Sequence, residues 1–222
     1  MSDLPKLTGP SLAPAAGGAP QSLVILLHGY GANGDDLIGL APAFAQVLPN
    51  AEFLSPNAPY PCEANPFGGL QWFEVWQQEG VDRLAQVRNG TAIVDAFIDA
   101  ELAKRGLSDD RLVLVGFSQG TMLSLHVGMR RKNACAGILG FSGRLESPEI
   151  LADEITSKPP VLLIHGEEDP LLAVDLMDTA AEVLRQSGVT VETHRCPGLG
   201  HGIDEDGIRL GAGFLTVSLA GG

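Results

Sequence analysis

Cysteine is scarce. Cys62, Cys135 and Cys196 are widely separated and odd in number, which fits neither a disulfide framework nor a metal-ligand set. Long apolar runs are missing as well. Nowhere do 18 or more apolar residues follow one another, the length a membrane-spanning helix requires. Residues 1–22 lack the basic start and apolar centre of a secretory signal. Basic side chains are also few: 14 Lys and Arg stand against 27 Asp and Glu, a formal net charge of −13. Such a chain has no electrostatic hold on nucleic acid or an anionic membrane. The expectation is a soluble protein of the reducing cytoplasm, with no nucleic-acid partner, no stable membrane insertion and no metal.

What remains is enough for one domain. The chain has 222 residues, 45% of them hydrophobic and 18% charged, which suits a globular unit with a substantial core. Residues 1–21 are rich in Pro, Gly and Ala and read as an extended arm, leaving 22–222 as the folded domain. The apolar run Ser22-Leu-Val-Ile-Leu-Leu27 has strand length and suits a strand buried on both faces. After the Gly-rich segment His28-Gly-Tyr-Gly-Ala-Asn-Gly34, Asp35 is positioned to cap a helix reaching about Val47. Ala51–Ser55 reads as a strand, and 56–80 as a long irregular loop of the kind that carries function. Helical spacing over 87–105 ends at Gly106. Further strands are expected at 112–115, 136–142, 161–165 and 189–195, with helices to about Arg130, over 173–186 and over 203–219. Alternation of this kind predicts a mostly parallel sheet covered by helices on both faces, in one domain.

The stretch with the most chemistry is Gly116-Phe-Ser-Gln-Gly120. It follows an apolar, β-branched run and precedes a helix-compatible segment, the strand–turn–helix setting of a nucleophile elbow. Gly-x-Ser-x-Gly alone is a weak pattern, and its context supplies the weight. A serine hydroxyl needs a base to take its proton, and the base needs a carboxylate to orient it. On such a fold the order is Ser, then acid, then His. Of five histidines only His201, in Gly200-His-Gly202, follows the last strand on a loop. The others read as strand-end or surface imidazoles satisfied by backbone groups, with His28 ordering its own loop. The acid should follow a strand between the two. Val161-Leu-Leu-Ile-His-Gly-Glu-Glu-Asp-Pro170 supplies Asp169, with Glu168 as runner-up. Two backbone N–H groups must meet the developing oxyanion. Gln119, just after the serine, and Tyr30, in His28-Gly-Tyr-Gly31, are the candidates.

Taken together, these motifs resemble the phospholipase/carboxylesterase family, the small α/β-hydrolases that include bacterial carboxylesterases and acyl-protein thioesterases. The matching pieces are Leu26-Leu-His-Gly-Tyr-Gly31 with Asp35, Pro56-Asn-Ala-Pro59, Trp72-Phe73, Gly116–Gly120, His165-Gly-Glu-Glu-Asp-Pro170 and Gly200-His-Gly202. The resemblance implies a single-domain α/β-hydrolase without a large cap. It implies a catalytic triad of Ser118, Asp169 and His201, an oxyanion hole from the Tyr30 and Gln119 amides, and no cofactor. Trp72, Phe73 and Leu171 become substrate-pocket candidates. Trp72, Phe73 and Trp76 suit an apolar substrate wall, a homodimer contact or ordinary core. Leu is the family's usual residue where Tyr30 stands, and Asn65-Pro-Phe-Gly-Gly69 looks like a local elaboration. The expected partner is a small-molecule ester. Thioester or lysophospholipid cleavage is the nearest alternative, and a non-catalytic binding module is the distant one.

Overall fold

A computed structural model describes residues 4–74 and 82–220. Its strands and helices run, in order, β1 (Ser11–Leu12), β2 (Ser22–Leu27), α1 (Gly34–Leu37), α2 (Ala41–Ala45), β3 (Ala51–Leu54), β4 (Tyr60–Pro61) and β5 (Leu70–Gln71). Then follow α3 (Arg83–Arg105), β6 (Leu112–Phe117), α4 (Gln119–Gly128), β7 (Gly137–Phe141) and α5 (Leu151–Glu154). The chain finishes with β8 (Val161–Gly166), α6 (Asp175–Gln186), β9 (Val191–Cys196) and α7 (Glu205–Ala220).

Seven strands form one sheet in the order β1-β3-β2-β6-β7-β8-β9. Every pairing from β3 to β9 is parallel, and β1 alone is antiparallel. Strand side chains alternate between two apolar layers, as a period of two requires. Leu23, Ile25, Leu27, Leu112 and Leu114 pack with Val94 and Ile98 of α3, Leu123 of α4 and Leu184 of α6. Val24, Leu26, Val113 and Val115 face the other way, onto Phe44 of α2 and Leu215 of α7. Both faces are therefore dry, which is why these strands read as continuous hydrophobic runs. Burying each such Leu, Ile or Val contributes about 1.5–3 kcal/mol. The architecture is that of an α/β-hydrolase.

Several local features differ from the sequence reading. Residues 1–21 are not merely an extended arm: β1 pairs Ser11 with Leu54, and the amides of Ser55 and Asn57 donate to Pro10 O and Thr8 O. Apolar residues at the arm's start explain this, since Leu7 and Leu12 pack against the core. The helix after β2 is capped by Asn33, not Asp35. Asn33 Oδ1 accepts from the Asp35 and Asp36 amides while Asp36 Oδ2 accepts from the Asn33 amide, a reciprocal capping box. Nor does that helix continue to Val47. It passes through a 3-10 turn at Ile38–Leu40 and restarts as α2, because Pro42 has no N–H to return to Ile38. The segment 56–80 holds a short antiparallel ladder between β4 and β5. α3 begins at Arg83, four residues before the expected start, where Asp82 accepts from the Ala85 amide. Among the described residues no helix is long and apolar enough to cross a membrane.

Candidate active site

Because β2, β6, β7, β8 and β9 are parallel, their C-terminal ends share one edge of the sheet, where open α/β sheets place their ligands. Ser118 follows β6 directly and has φ 53° and ψ −114°. A non-glycine residue in that region is strained and persists only where its surroundings enforce it. The enforcement is visible. The Ser118 amide donates to Phe141 O at 2.8 Å, and Ser118 O accepts from Met122 in the first turn of α4. The flanking glycines are a matter of space: a Cβ on Gly120 would lie 1.8 Å from Leu27 O, and one on Gly116 2.4 Å from Thr121 N. No side chain fits either position.

The loop after β2 lies against this turn. A Cβ at Gly29 would lie 3.3 Å from Ser118 Cβ and 3.1 Å from Phe117 Cδ1, so the backbone around Tyr30 runs beside the serine. His28 shapes the loop. Its Nδ1–H donates to Gly29 O at 2.8 Å, and Nε2 accepts from the Ala58 amide at 3.0 Å. That pairing fixes a neutral tautomer, and burial, outweighing the Gly29 carbonyl, lowers the ring's pKa. The Asn65 side chain donates to Gly31 O and the Leu70 carbonyl accepts from the Gly31 amide, so the 65–70 segment braces the same loop.

Burial separates the three candidate carboxylates. Glu167 and Glu168 are exposed, while Asp169 is buried. Asp169 Oδ1 accepts from the Leu171 and Leu172 amides at 2.8 and 2.9 Å, and Oδ2 lies 2.7 Å from His201 Nδ1. Burial alone would raise the carboxyl's pKa. The Leu172 amide, His201 and the Leu171 amide outweigh it and hold the group below its usual range. As an ionised acceptor, Asp169 accepts a hydrogen bond from His201 Nδ1–H and leaves Nε2 as the basic nitrogen. The His201 ring packs against Phe117, centroids 5.0 Å apart, next to Ser118 in the chain. The Asp169–His201 pair thus lies against the residue that precedes Ser118, with His201 partly accessible and Asp169 sealed.

Two of the aromatic candidates can be placed. Trp72 is fully buried, its indole N–H donating to His28 O at 2.9 Å. Phe73 is 3% exposed with the Arg83 guanidinium 5.4 Å over its ring. Both side chains are buried in the core. They also border a cavity of about 550 Å³ shared with Tyr60, Gln71, Gln86 and Asn89. Trp76 lies outside the described residues. Leu171 is 71% exposed, and what it gives the site is its amide, already engaged with Asp169. Two residues that the sequence reading passed over stand close by. Ser142 Oγ donates to Gly202 O, tying the end of β7 to the His201 loop. His165 lies against Asp169, and its only sequence signal is the spacing of four within His165-Gly-Glu-Glu-Asp169.

Sheet order, elbow geometry and the Asp–His pair together define an α/β-hydrolase-fold hydrolase. The chain belongs to the phospholipase/carboxylesterase family, whose model matches residues 14–219. Among its relatives is an acyl-protein thioesterase 1 of Gibberella zeae, 31% identical over 88% of this chain and 90% of that protein. Esterase YpfH of Escherichia coli is 29% identical over 90% and 84%. Among solved structures, esterase PE8 is 41% identical with a TM-score of 0.90, covering 96% of this chain and 100% of the other. SOBER1 of Arabidopsis thaliana gives 26% and 0.79, covering 89% and 99%.

Proposed function

We propose that the protein is a serine carboxylesterase that works through an acyl-enzyme. Ser118 Oγ attacks the ester carbonyl as His201 Nε2 takes its proton. The amides of Tyr30 and Gln119 receive the oxyanion. His201 then gives the proton to the departing alcohol, and a water activated by the same nitrogen cleaves the acyl-serine. Asp169 keeps the imidazole in the Nδ1–H tautomer and stabilises the imidazolium. Each of these steps is carried by the chain's own side chains and amides. The observation that carries the reading is the buried 2.7 Å contact between Asp169 Oδ2 and His201 Nδ1 at the sheet edge where Ser118 is held strained.

Three unpaired, buried cysteines accord with a reducing compartment, and we place the enzyme in the cytoplasm. The test is covalent labelling by a fluorophosphonate followed by peptide mapping. Label on Ser118, lost in Ser118→Ala together with p-nitrophenyl ester hydrolysis, is the expected result. An unlabelled Ser118, or a folded Ser118→Ala protein keeping more than about a tenth of wild-type turnover, would sink it. Relatives named acyl-protein thioesterase favour a second reading, cleavage of S-acyl thioesters. Comparing kcat/KM on matched ester, thioester and lysolipid substrates separates the two.

A further inference from the structure

Asp169 is held by more than His201. His165, the fifth residue of β8, is 1% exposed, and its Nε2 lies 3.1 Å from Asp169 Oδ2 and 2.8 Å from Leu172 O. A carbonyl oxygen only accepts, so Nε2 must carry the hydrogen, and the tautomer is settled without reference to Asp169. That hydrogen goes to Leu172 O, while Nε2 itself packs 3.1 Å from Oδ2, the oxygen that His201 uses. Nδ1, on the far side of the ring, is buried with no hydrogen-bond partner among the described residues. A second proton there would be a donor without an acceptor. His165 therefore donates through Nε2 to the Leu172 carbonyl and lies against Asp169 on the same side of the ring.

The contacts close into a ring. His165 Nε2–H fixes the Leu172 carbonyl, and the Leu172 amide fixes Asp169 Oδ1 at 2.9 Å. On the other oxygen His165 and His201 converge. Three donors hold the carboxylate, two amides on Oδ1 and His201 Nδ1–H on Oδ2, and the His165 ring packs against Oδ2 as the fourth neighbour. Such a group has no freedom to rotate about χ2 without losing contacts. We propose that His165 is a positioning residue for the hydrolytic site, setting the angle of the Asp169 carboxylate toward His201 both directly and through Leu172. The proposal rests on the serine-esterase reading, and it adds to the triad a neutral imidazole that never touches substrate.

Two variants and one spectrum test it. His165→Phe keeps a ring and removes the donor, while His165→Gln returns an N–H at similar reach. Expected is a loss of about tenfold or more in kcat for His165→Phe, with KM changed less than about threefold, and recovery of most of the loss in His165→Gln. A purely structural role would instead lower the melting temperature of both variants and leave kcat alone. A folded His165→Phe enzyme within about twofold of wild-type kcat overturns the proposal, as does a Gln variant no better than Phe. Should His165→Phe not fold, nitrogen-15 histidine spectra of the wild-type protein decide. They should show His165 as the Nε2–H tautomer, coupled through space to the low-field Nδ1 proton of His201. His165 as the Nδ1–H tautomer overturns the proposal. Fluorophosphonate labelling of wild-type Ser118 keeps the two ideas apart: without labelling the esterase reading fails, whereas labelling with the wrong His165 tautomer removes only the positioning role.

Discussion

The Gln119 side chain grips the backbone of Trp72: its Oε1 accepts from the Trp72 amide at 2.9 Å, and its Nε2 donates to the next carbonyl, Phe73 O, at 2.6 Å. The residue whose amide is proposed for the oxyanion thus also holds the 70–74 segment, and Trp72 in turn anchors the His28 carbonyl. Gln119→Ala keeps the amide but leaves a buried donor and a buried acceptor unpaired, each costing about 1–3 kcal/mol. Expected is a lower melting temperature together with a fall in kcat/KM, because the loops on both sides of Ser118 loosen. Unchanged melting and kinetics would show that the clamp is incidental.

Asp169 and Glu168 differ in burial and not in chemistry, which makes them a matched pair. Asp169→Asn retains an acceptor for the Leu171 and Leu172 amides but presents His201 with an amide that favours the wrong tautomer. A fall in kcat on the order of a thousandfold or more is expected. Glu168→Gln, at an exposed site, should stay within about twofold of wild type. Steady-state kinetics on one ester with both variants checks this, and the reverse ranking would move the acid to Glu168.

Tyr30 is proposed to act through its peptide N–H. Tyr30→Leu should hold kcat within a few-fold while shifting preference among acyl or alcohol groups. Tyr30→Pro deletes the donor, and losing one oxyanion donor costs about a hundred- to a thousandfold in kcat. Thermal melting and fluorophosphonate labelling serve as controls for folding, since proline also restrains Gly29. A folded Tyr30→Pro enzyme with near-normal kcat would place the donor elsewhere.

His126 makes acid stability a separate matter from catalysis. It is buried on α4. Its Nδ1–H donates to Thr91 Oγ1 at 2.8 Å, a hydroxyl that itself donates to Val87 O, and Nε2 has no partner among the described residues. Burial first, then the Arg130 charge, bring its pKa from 6.5 to about 4. The unfolded chain therefore binds more protons than the native one between these values, and this contribution to stability is complete above pH 6.5 and drains away toward pH 4. Denaturant midpoints measured between pH 7.5 and 4.5 should fall for wild type and fall less for His126→Leu. His28, also depressed by burial, leaves a residual slope. Parallel slopes in the two proteins would mean that His126 is not the titrating group.

Much of this molecule is legible in one dimension. The buried strands are continuous apolar runs because parallel strands are covered on both faces, and Gly116-Phe-Ser-Gln-Gly120 marks its own turn because no Cβ fits beside Leu27 O or Thr121 N. Chain order on such a fold points to Ser118 and His201 as candidates and brings the candidate acid down to Glu167, Glu168 or Asp169. What one dimension could not carry was anything set by the approach of distant segments. Glu167, Glu168 and Asp169 are interchangeable as letters, and only packing buries one of them. Nothing near Trp72 in the chain announces that its indole N–H donates to the His28 carbonyl, 44 residues away. The arm at β1 becomes part of the sheet only because β3 leaves an edge open. For His165 the spacing of four from Asp169 is the one local sign, and burial of both side chains is what makes it a contact. Backbone propensity and side-chain period act over a few residues and so are written in the sequence. Burial and hydrogen-bond partnership are properties of the assembled core, decided by which segments the folded sheet brings together.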